Sequence, residues 1–285
     1  MERRPQEEIM VPPATGRARR VSSAGVEDVE AAVPLEEPLA IDVDDRLVAV
    51  LMRTPGDEKA LAIGYCLSEG LVRSLGDVLL IHHCGTGAED ELLPPPGEAL
   101  PLGARNRVRI FLTPQARQAL EPGRPGRWVF SGCGGVDVSA LGQTLRVDQR
   151  ELCLDPQTLF ATVPAIARVQ SAYRATGGIH AAALFDSRGE LLALSEDVGR
   201  HNAVDKAIGQ AALGGRLPAA LLVATGRASS DIVAKAARVG VPVVASFSSS
   251  TSLGVSLAEA AGVTLVGYLR RNRFTVYTHG ERIHT

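Results

Sequence analysis

The chain reads as an α/β protein in which a three-layer domain with a mixed sheet, residues 151–285, follows a smaller β-rich α+β domain, residues 34–150. Three observations predict this. In the second half, short apolar segments alternate repeatedly with stretches of helical spacing, and strand–helix–strand crossovers favour parallel neighbours. That run is preceded by two apolar segments flanking Asp186-Ser187-Arg188-Gly189, a turn sequence that joins antiparallel strands, so the sheet is mixed. In the first half, alternating segments are separated by turn-forming residues and one helical pattern.

Taken in order, residues 1–33 are rich in charge and small residues, contain Pro12-Pro13 and lack a sustained apolar period, which predicts a disordered tail. Leu39–Val43 and Arg46–Met52 form a hairpin around Asp44-Asp45. A helix follows Thr54-Pro55-Gly56-Asp57, with Thr or Asp as its cap, and carries Leu61, Tyr65 and Leu67 before Gly70 loosens its end. Val78–His82 and Arg107–Leu112 are strands separated by the Gly- and Pro-rich loop Gly85–Gly103.

Pro156–Tyr173 has helical spacing, and Ile179–Phe185 and Leu191–Ser195 form the second hairpin. Strands over Ala219–Ala224, Val241–Ser246 and Val263–Leu269 then alternate with helices starting near Arg200, Ser230 and Thr251, and Arg273–Tyr277 is a last strand. This order matches the cytidine-deaminase-like fold. In such sheets ligands gather where helix N-termini point, beyond the carboxyl ends of the strands.

Of 285 residues, 45% are hydrophobic and 22% charged, enough to bury one large or two modest cores. Lys+Arg 30 against Asp+Glu 32 leaves a formal charge of -2, which argues against a nucleic-acid partner, so any anion site is built locally. No apolar run approaches the roughly 20 residues needed to cross a bilayer, and a soluble cytoplasmic protein is expected. Cys66, Cys84, Cys133 and Cys153 are irregularly spaced, which argues against a disulfide framework and leaves room for a working thiol.

Six segments can carry chemistry. In Ser131-Gly132-Cys133-Gly134-Gly135 a cysteine stands between glycines after an apolar stretch, where backbone can bend tightly and free N–H groups can stabilise a thiolate or persulfide. A buried small hydrophobe beside a turn is the alternative. Thr176-Gly177-Gly178-Ile179-His180 leads into a strand, and its histidine either orients a phosphate or thiol or is structural. Glu196-Asp197-Val198-Gly199-Arg200-His201-Asn202 opens a helix, where the N-terminus favours anions and Arg200 and His201 supply directed donors; Asp197 is equally well a cap.

Thr225-Gly226-Arg227-Ala228-Ser229-Ser230-Asp231 and Ser246-Phe247-Ser248-Ser249-Ser250-Thr251-Ser252 repeat the same physics at the next two helix starts. Ser and Thr are also ordinary N-caps, but parallel strands would bring all three junctions to one edge of the sheet. Tyr268-Leu269-Arg270-Arg271-Asn272-Arg273 is a basic turn able to clamp a pyrophosphate, or else a solubilising hairpin tip. A zinc deaminase of this topology would need cysteines at the second helix start, and neither Glu196–Lys206 nor Gly226–Asp231 contains one. A phosphate-loop lysine motif for nucleotide hydrolysis is also missing.

The strings TGGIH from Thr176, EDVGRHNAVDK from Glu196, GRAS from Gly226, PVVAS from Pro242 and TSL from Thr251 resemble the FdhD family in that order. Upstream, Glu37-Pro38-Leu39, Met52–Asp57 and Leu67–Gly70 resemble it too, so coverage runs from about Pro34 to the C-terminus. The resemblance implies a cytoplasmic, commonly homodimeric sulfurtransferase. Such a carrier accepts persulfide sulfur from a cysteine desulfurase and delivers it to molybdenum bis(molybdopterin guanine dinucleotide), bound as substrate, for formate dehydrogenase. Cys133 would hold the sulfur. Thr176, Gly177, Gly178, His180, Asp197, Arg200, His201, Asn202, Gly226, Arg227, Ser229, Ser248, Thr251 and the turn Tyr268, Leu269, Arg270, Arg271, Asn272, Arg273 would hold the cofactor, with a guanine nucleotide such as GDP as a mimic and no zinc.

One departure stands out. The family's Cys-Gly-x-Cys-Gly loop reads Cys133-Gly134-Gly135-Val136-Asp137 here, so the second cysteine is replaced by Val136. One thiol suffices for transpersulfidation but forms no vicinal disulfide. Cys84, following His82-His83, is a substitute if the fold brings it near, and a cofactor chaperone that moves no sulfur is the competing function.

Overall fold

Alternation dictates the four-stranded sheet. The computed structural model describes residues 13–84, 106–119, 138–147 and 151–284. Strand β1 (Ala14–Ser22) pairs antiparallel with β2 (Gly25–Val33). β3 (Glu37–Val43) and β4 (Arg46–Arg53) form the expected hairpin, with Asp44 and Asp45 both at positive φ. Helix α1 (Glu58–Ser68) follows, then β5 (Val78–Cys84), β6 (Arg107–Leu112) and the short helices α2 (Pro114–Ala119) and α3 (Val138–Thr144). The sheet order is β4-β3-β6-β5, with β3 and β6 parallel. Leu39, Ile41, Val108 and Ile110 sit at alternate positions and join one apolar cluster with Leu61 and Ile63 of α1.

The stretch 14–33 departs from the expected disordered tail. Its register sets Arg19 against Asp28 and Arg20 against Glu27, each pair with a 3.0 Å salt bridge, and Val21 against Val26. Charge complementarity across a ladder leaves no apolar period, which is why composition alone reads as disorder. Residues 1–12 lie outside the described residues.

The second half contains α4 (Pro156–Val169), α5 (Ser171–Thr176), β7 (His180–Phe185), β8 (Leu191–Asp197), α6 (Arg200–Leu213), β9 (Leu221–Ala224), α7 (Ser230–Arg238), β10 (Val243–Ser246), α8 (Ser252–Ala261), β11 (Thr264–Gly267) and β12 (Thr275–Thr278). The helical pattern over 156–173 is thus divided at Gln170, which accepts ψ 69 between α4 and α5. Strand order is β12-β11-β10-β9-β7-β8; β9, β10 and β11 are mutually parallel and β7 runs antiparallel to both its neighbours. The mixed α/β architecture with several sheets is therefore as expected.

Alternation again assigns the faces. Ala181, Ala183, Phe185, Leu221, Val223, Val243 and Ala245 pack with Leu159 and Ile166 of α4. Ala182, Leu184, Leu222, Ala224 and Val244 pack with α6, α7 and α8, in the cluster that also holds α1 and the four-stranded sheet. One continuous core thus joins the two halves.

Two glycines allow this. A Cβ on Gly64 of α1 would stand 1.7 Å from the Asp205 carbonyl oxygen, and one on Gly209 of α6 would stand 1.8 Å from that of Ala60. The two helix backbones touch, as small residues at a crossing permit.

Candidate functional site: helix starts on one sheet edge

Strand directions decide where the candidate loops lie. β8, β9, β10 and β11 all end at one edge, and β7 and β12 begin there. The junctions Asp197–Gly199, Thr225–Ser229, Phe247–Thr251 and Tyr268–Phe274, with the approach Thr176–Ile179, therefore share that edge, beyond the strands' carboxyl ends. Adjacent loops are tied together. Ala228 N–H donates to the Ser249 carbonyl at 3.1 Å and Thr251 N–H donates to that of Ala228 at 3.1 Å. Tyr268 N–H reaches the Ser248 carbonyl at 2.9 Å, and the Ser246 hydroxyl donates to that of Gly226 at 2.7 Å.

The α6 junction divides into an inward and an outward set. Asp197 is fully buried and forms a 2.7 Å ion pair with buried Lys206. The same carboxylate accepts from Thr54 N–H at 3.1 Å, Gly199 N–H at 2.8 Å and Asn202 Nδ2 at 3.0 Å. Asn202 also donates to the Met52 carbonyl at 2.7 Å, and Lys206 to that of Thr54 at 2.7 Å. Asp197 and Asn202, grouped by sequence with the cofactor contacts, thus have internal partners and bind the β4–α1 turn to α6. Glu196 likewise accepts from Ala172 and Tyr173 N–H, at 2.9 Å each.

Arg200 and His201 form the outward set. The Arg200 Nε is buried and has no hydrogen-bond partner among the described residues. A methyl group at Gly226 would lie 3.0 Å from Arg200 Cβ, 3.1 Å from its Cδ and 3.5 Å from His180 Nδ1, so glycine there makes room for both side chains. Burial and the neighbouring Arg200 charge hold His180 below the ordinary imidazole value, outweighing Asp197. His201 Nε2 lies 3.7 Å from an Asp231 carboxylate oxygen in the first turn of α7.

The three helix starts are not equivalent. Thr251 caps α8 by accepting from Gly254 N–H at 3.1 Å, so its hydroxyl is engaged. Gly199 and Ser229 stand at the N-cap positions of α6 and α7 without a side-chain cap hydrogen bond. The hydroxyls of Ser229 and Ser250 are buried without a partner among the described residues. Ser250, unlike Ser248, was not among the expected contacts; nothing but its place directly before the N-cap of α8 signals it. Ser248 N–H is held by the Ser246 hydroxyl at 2.9 Å.

The basic turn is also mixed. Leu269 is fully buried in the apolar cluster on the α4 side of the sheet, its N–H donates to the Ser246 carbonyl and its own carbonyl accepts from Arg270. Its side chain anchors the turn in that cluster. Arg270 Nη1 binds the Leu269 carbonyl at 2.8 Å and the Phe247 carbonyl, tying this turn to the β10–α8 loop. Tyr268, at φ 52, with Arg271, Asn272, Arg273 and the more distant Arg227, is exposed. On the approach to β7, Gly177 ends α5 at φ 70 and the Thr176 hydroxyl binds the Ala172 carbonyl at 2.9 Å. A Cβ on Gly178 would meet Pro34 Cγ at 2.8 Å.

Cys133, the expected sulfur carrier, and Val136 lie outside the described residues. Burial pushes the Cys66 thiol up to about 12, with Asp205 adding to the shift, so it is protonated at neutral pH. What the edge offers chemically is a set of donors: a guanidinium, an imidazole and, among the described residues, two unpartnered hydroxyls and two helix starts without a side-chain cap. This set suits phosphate oxygens.

A profile of the FdhD/NarQ family matches residues 34–284. The chain is 39% identical over 281 residues to a sulfur carrier protein FdhD of Anaeromyxobacter sp. (strain K), covering 95% of each. It is 36% identical over 280 residues to one of Saccharolobus solfataricus, covering 94% of this chain and 99% of the relative. The crystal structure of a protein described as a formate dehydrogenase accessory protein of Desulfotalea psychrophila superposes with a TM-score of 0.72 at 25% identity, covering 96% of this chain and 100% of that one.

Proposed function

The chain belongs to the FdhD/NarQ family, and on that footing we propose that it is a cytoplasmic sulfur carrier serving formate dehydrogenase. In this reading Cys133 accepts persulfide sulfur from a cysteine desulfurase, and the molybdenum bis(molybdopterin guanine dinucleotide) substrate sits along the edge of the six-stranded sheet. We read that sheet, with helices on both faces, as cytidine-deaminase-like, and the working unit as a homodimer.

The observation that carries the reading is that the Arg200 Nε and the Ser229 and Ser250 hydroxyls, at three junctions of one sheet edge, are each buried without a partner among the described residues. Buried polar groups are nearly always satisfied, so three at adjoining junctions favour an anionic ligand with several acceptor oxygens. The helix dipoles of α6 and α7 favour the same charge. Neutral His180 can donate a further hydrogen bond beside Arg200. The two transfers at Cys133 are thiolate attack on the terminal sulfur of the desulfurase persulfide, releasing the desulfurase thiolate, and then attack of the acceptor on the outer sulfur of the Cys133 persulfide, which breaks its S–S bond and releases the Cys133 thiolate.

Two measurements test this. GDP titrated calorimetrically into the protein is expected to bind, and Arg200→Ala to weaken it by about tenfold or more, the value of one charged hydrogen bond; unchanged affinity would remove the phosphate site. Cys133→Ala is expected to abolish dehydrogenase activation while the far-UV spectrum stays native; full activation would remove the carrier role. Val136, where a second cysteine is usual, favours one alternative, a chaperone that binds the cofactor without moving sulfur. Mass spectrometry after incubation with desulfurase and cysteine separates them, because only a carrier gains the mass of one sulfur on Cys133.

A further inference from the structure

The last residues of β5 hold a second arrangement of thiol chemistry. Residues two apart on a strand share a face, and Cys84 Sγ lies 3.3 Å from His82 Nδ1. His83 points the other way, toward Glu58 and Arg53, and burial lowers its pKa. On the adjoining strand Arg107 stands opposite Cys84 and Arg109 opposite His82, so two guanidinium-bearing residues flank the pair on its own face. Arg107 is steadied by a 2.9 Å bond to Asp42.

Placement matters as well. β5 ends where β6 and β3 begin and β4 ends, the sheet end that carries Thr54, which is bonded to Asp197 at the nucleotide edge. Of the other described thiols, Cys66 is fully buried, and Cys153 is exposed with no imidazole bonded to it among the described residues.

We propose that Cys84 and His82 form a second sulfur-accepting site, a thiol with its own base, taking sulfane sulfur from a persulfide. With the His82 proton on Nε2, Nδ1 accepts the Cys84 S–H proton as the sulfur attacks the outer sulfur of a donor R–S–S–H. The new Cys84 S–S bond forms as the donor S–S bond breaks. The donor leaves as a thiolate and takes up the proton, so nothing is oxidised or reduced overall. Arg109, opposite His82 on the adjoining strand, is the cation placed to offset the charge of the resulting persulfide. The site rests on the sulfur-carrier reading and supplies the second thiol that Val136 removes from the Cys133 loop.

The full chain, reduced and desalted, is incubated with glutathione persulfide in one arm and with a cysteine desulfurase plus cysteine in the other, and the added sulfur is mapped to individual cysteines by peptide mass spectrometry. Cys84 is expected to take up sulfur at least about tenfold faster than Cys153, with His82→Gln removing most of that advantage, as loss of a general base would. Sulfur on Cys84 in either arm supports the site, and the arm that works identifies a small-molecule or a protein donor. Uptake at Cys84 no faster than at Cys153, or undiminished in His82→Gln, overturns it. The comparison with Cys153 is made within the unaltered protein and needs no variant to fold. In a Cys133→Ala chain, labelling of Cys84 persists if this site is real, whatever becomes of the Cys133 role.

Discussion

Arg200 and Asp197 stand three positions apart in one motif and do unrelated work. Asp197 is sealed against Lys206 and Thr54, while the Arg200 Nε is buried with no hydrogen-bond partner among the described residues. Asp197→Ala strands the Lys206 charge in the interior, and a loss of about 3–5 kcal/mol in urea denaturation is expected. Gly226→Ala is expected to fold but bind GDP more weakly, because the added methyl displaces the Arg200 stem; calorimetry reads the difference. His180 gives a pH dependence. Its folded pKa is lowered, first by burial and then by Arg200, so the unfolded chain binds the proton more readily. Stability contributed by neutral His180 is present above the ordinary imidazole value of about 6.5 and is lost as pH falls below it. Denaturation of the parent and His180→Gln across that window is expected to show the parent losing more stability on acidification. Within the motif, local sequence marks a helix start rich in donors. It is silent on which side chains turn inward, because their partners come from another part of the chain.

Among the elements, α1 and α6 show how closely sequence and structure can diverge in consequence. Intrinsic helix propensity favours Ala over Gly by about 1 kcal/mol, so Gly64→Ala and Gly209→Ala read as stabilising. The geometry reverses that sign, since either Cβ would stand inside the van der Waals radius of a carbonyl oxygen. A net loss of about 1–3 kcal/mol is expected for each, as overpacking costs, and urea denaturation checks it; a gain would show that the helices are free to separate. Most elements were legible, because strands over 107–112 and 180–185 and helices at 58, 200, 230 and 252 carry their own period and turn signals. The β1–β2 hairpin was not. Its stabilising pairs lie across a ladder, and a single strand of alternating charge looks like tail.

At the level of the molecule, one apolar cluster runs from β3 and β6 through α1 into α6, α7 and the six-stranded sheet. Buried charges cross the same division. Lys235 of α7 binds Asp205 at 2.9 Å, Ser68 at 2.9 Å and Glu69 at 2.8 Å; burial works against its charge, but the two carboxylates outweigh burial and raise its pKa. Thermal unfolding is therefore expected as one cooperative transition, with calorimetric and van't Hoff enthalpies in agreement; two resolved transitions would show that the halves stand alone. What the sequence determined by itself was the order and kind of most elements, the motif strings and the gathering of helix starts on one edge, since these follow from period, turn chemistry and the direction rules for crossovers. Only the tertiary structure decided which of those residues face the edge and which hold the two halves together. Thr54 meets Asp197, and Ser68 meets Lys235, across 143 and 167 residues, and no local pattern encodes a partner at that range.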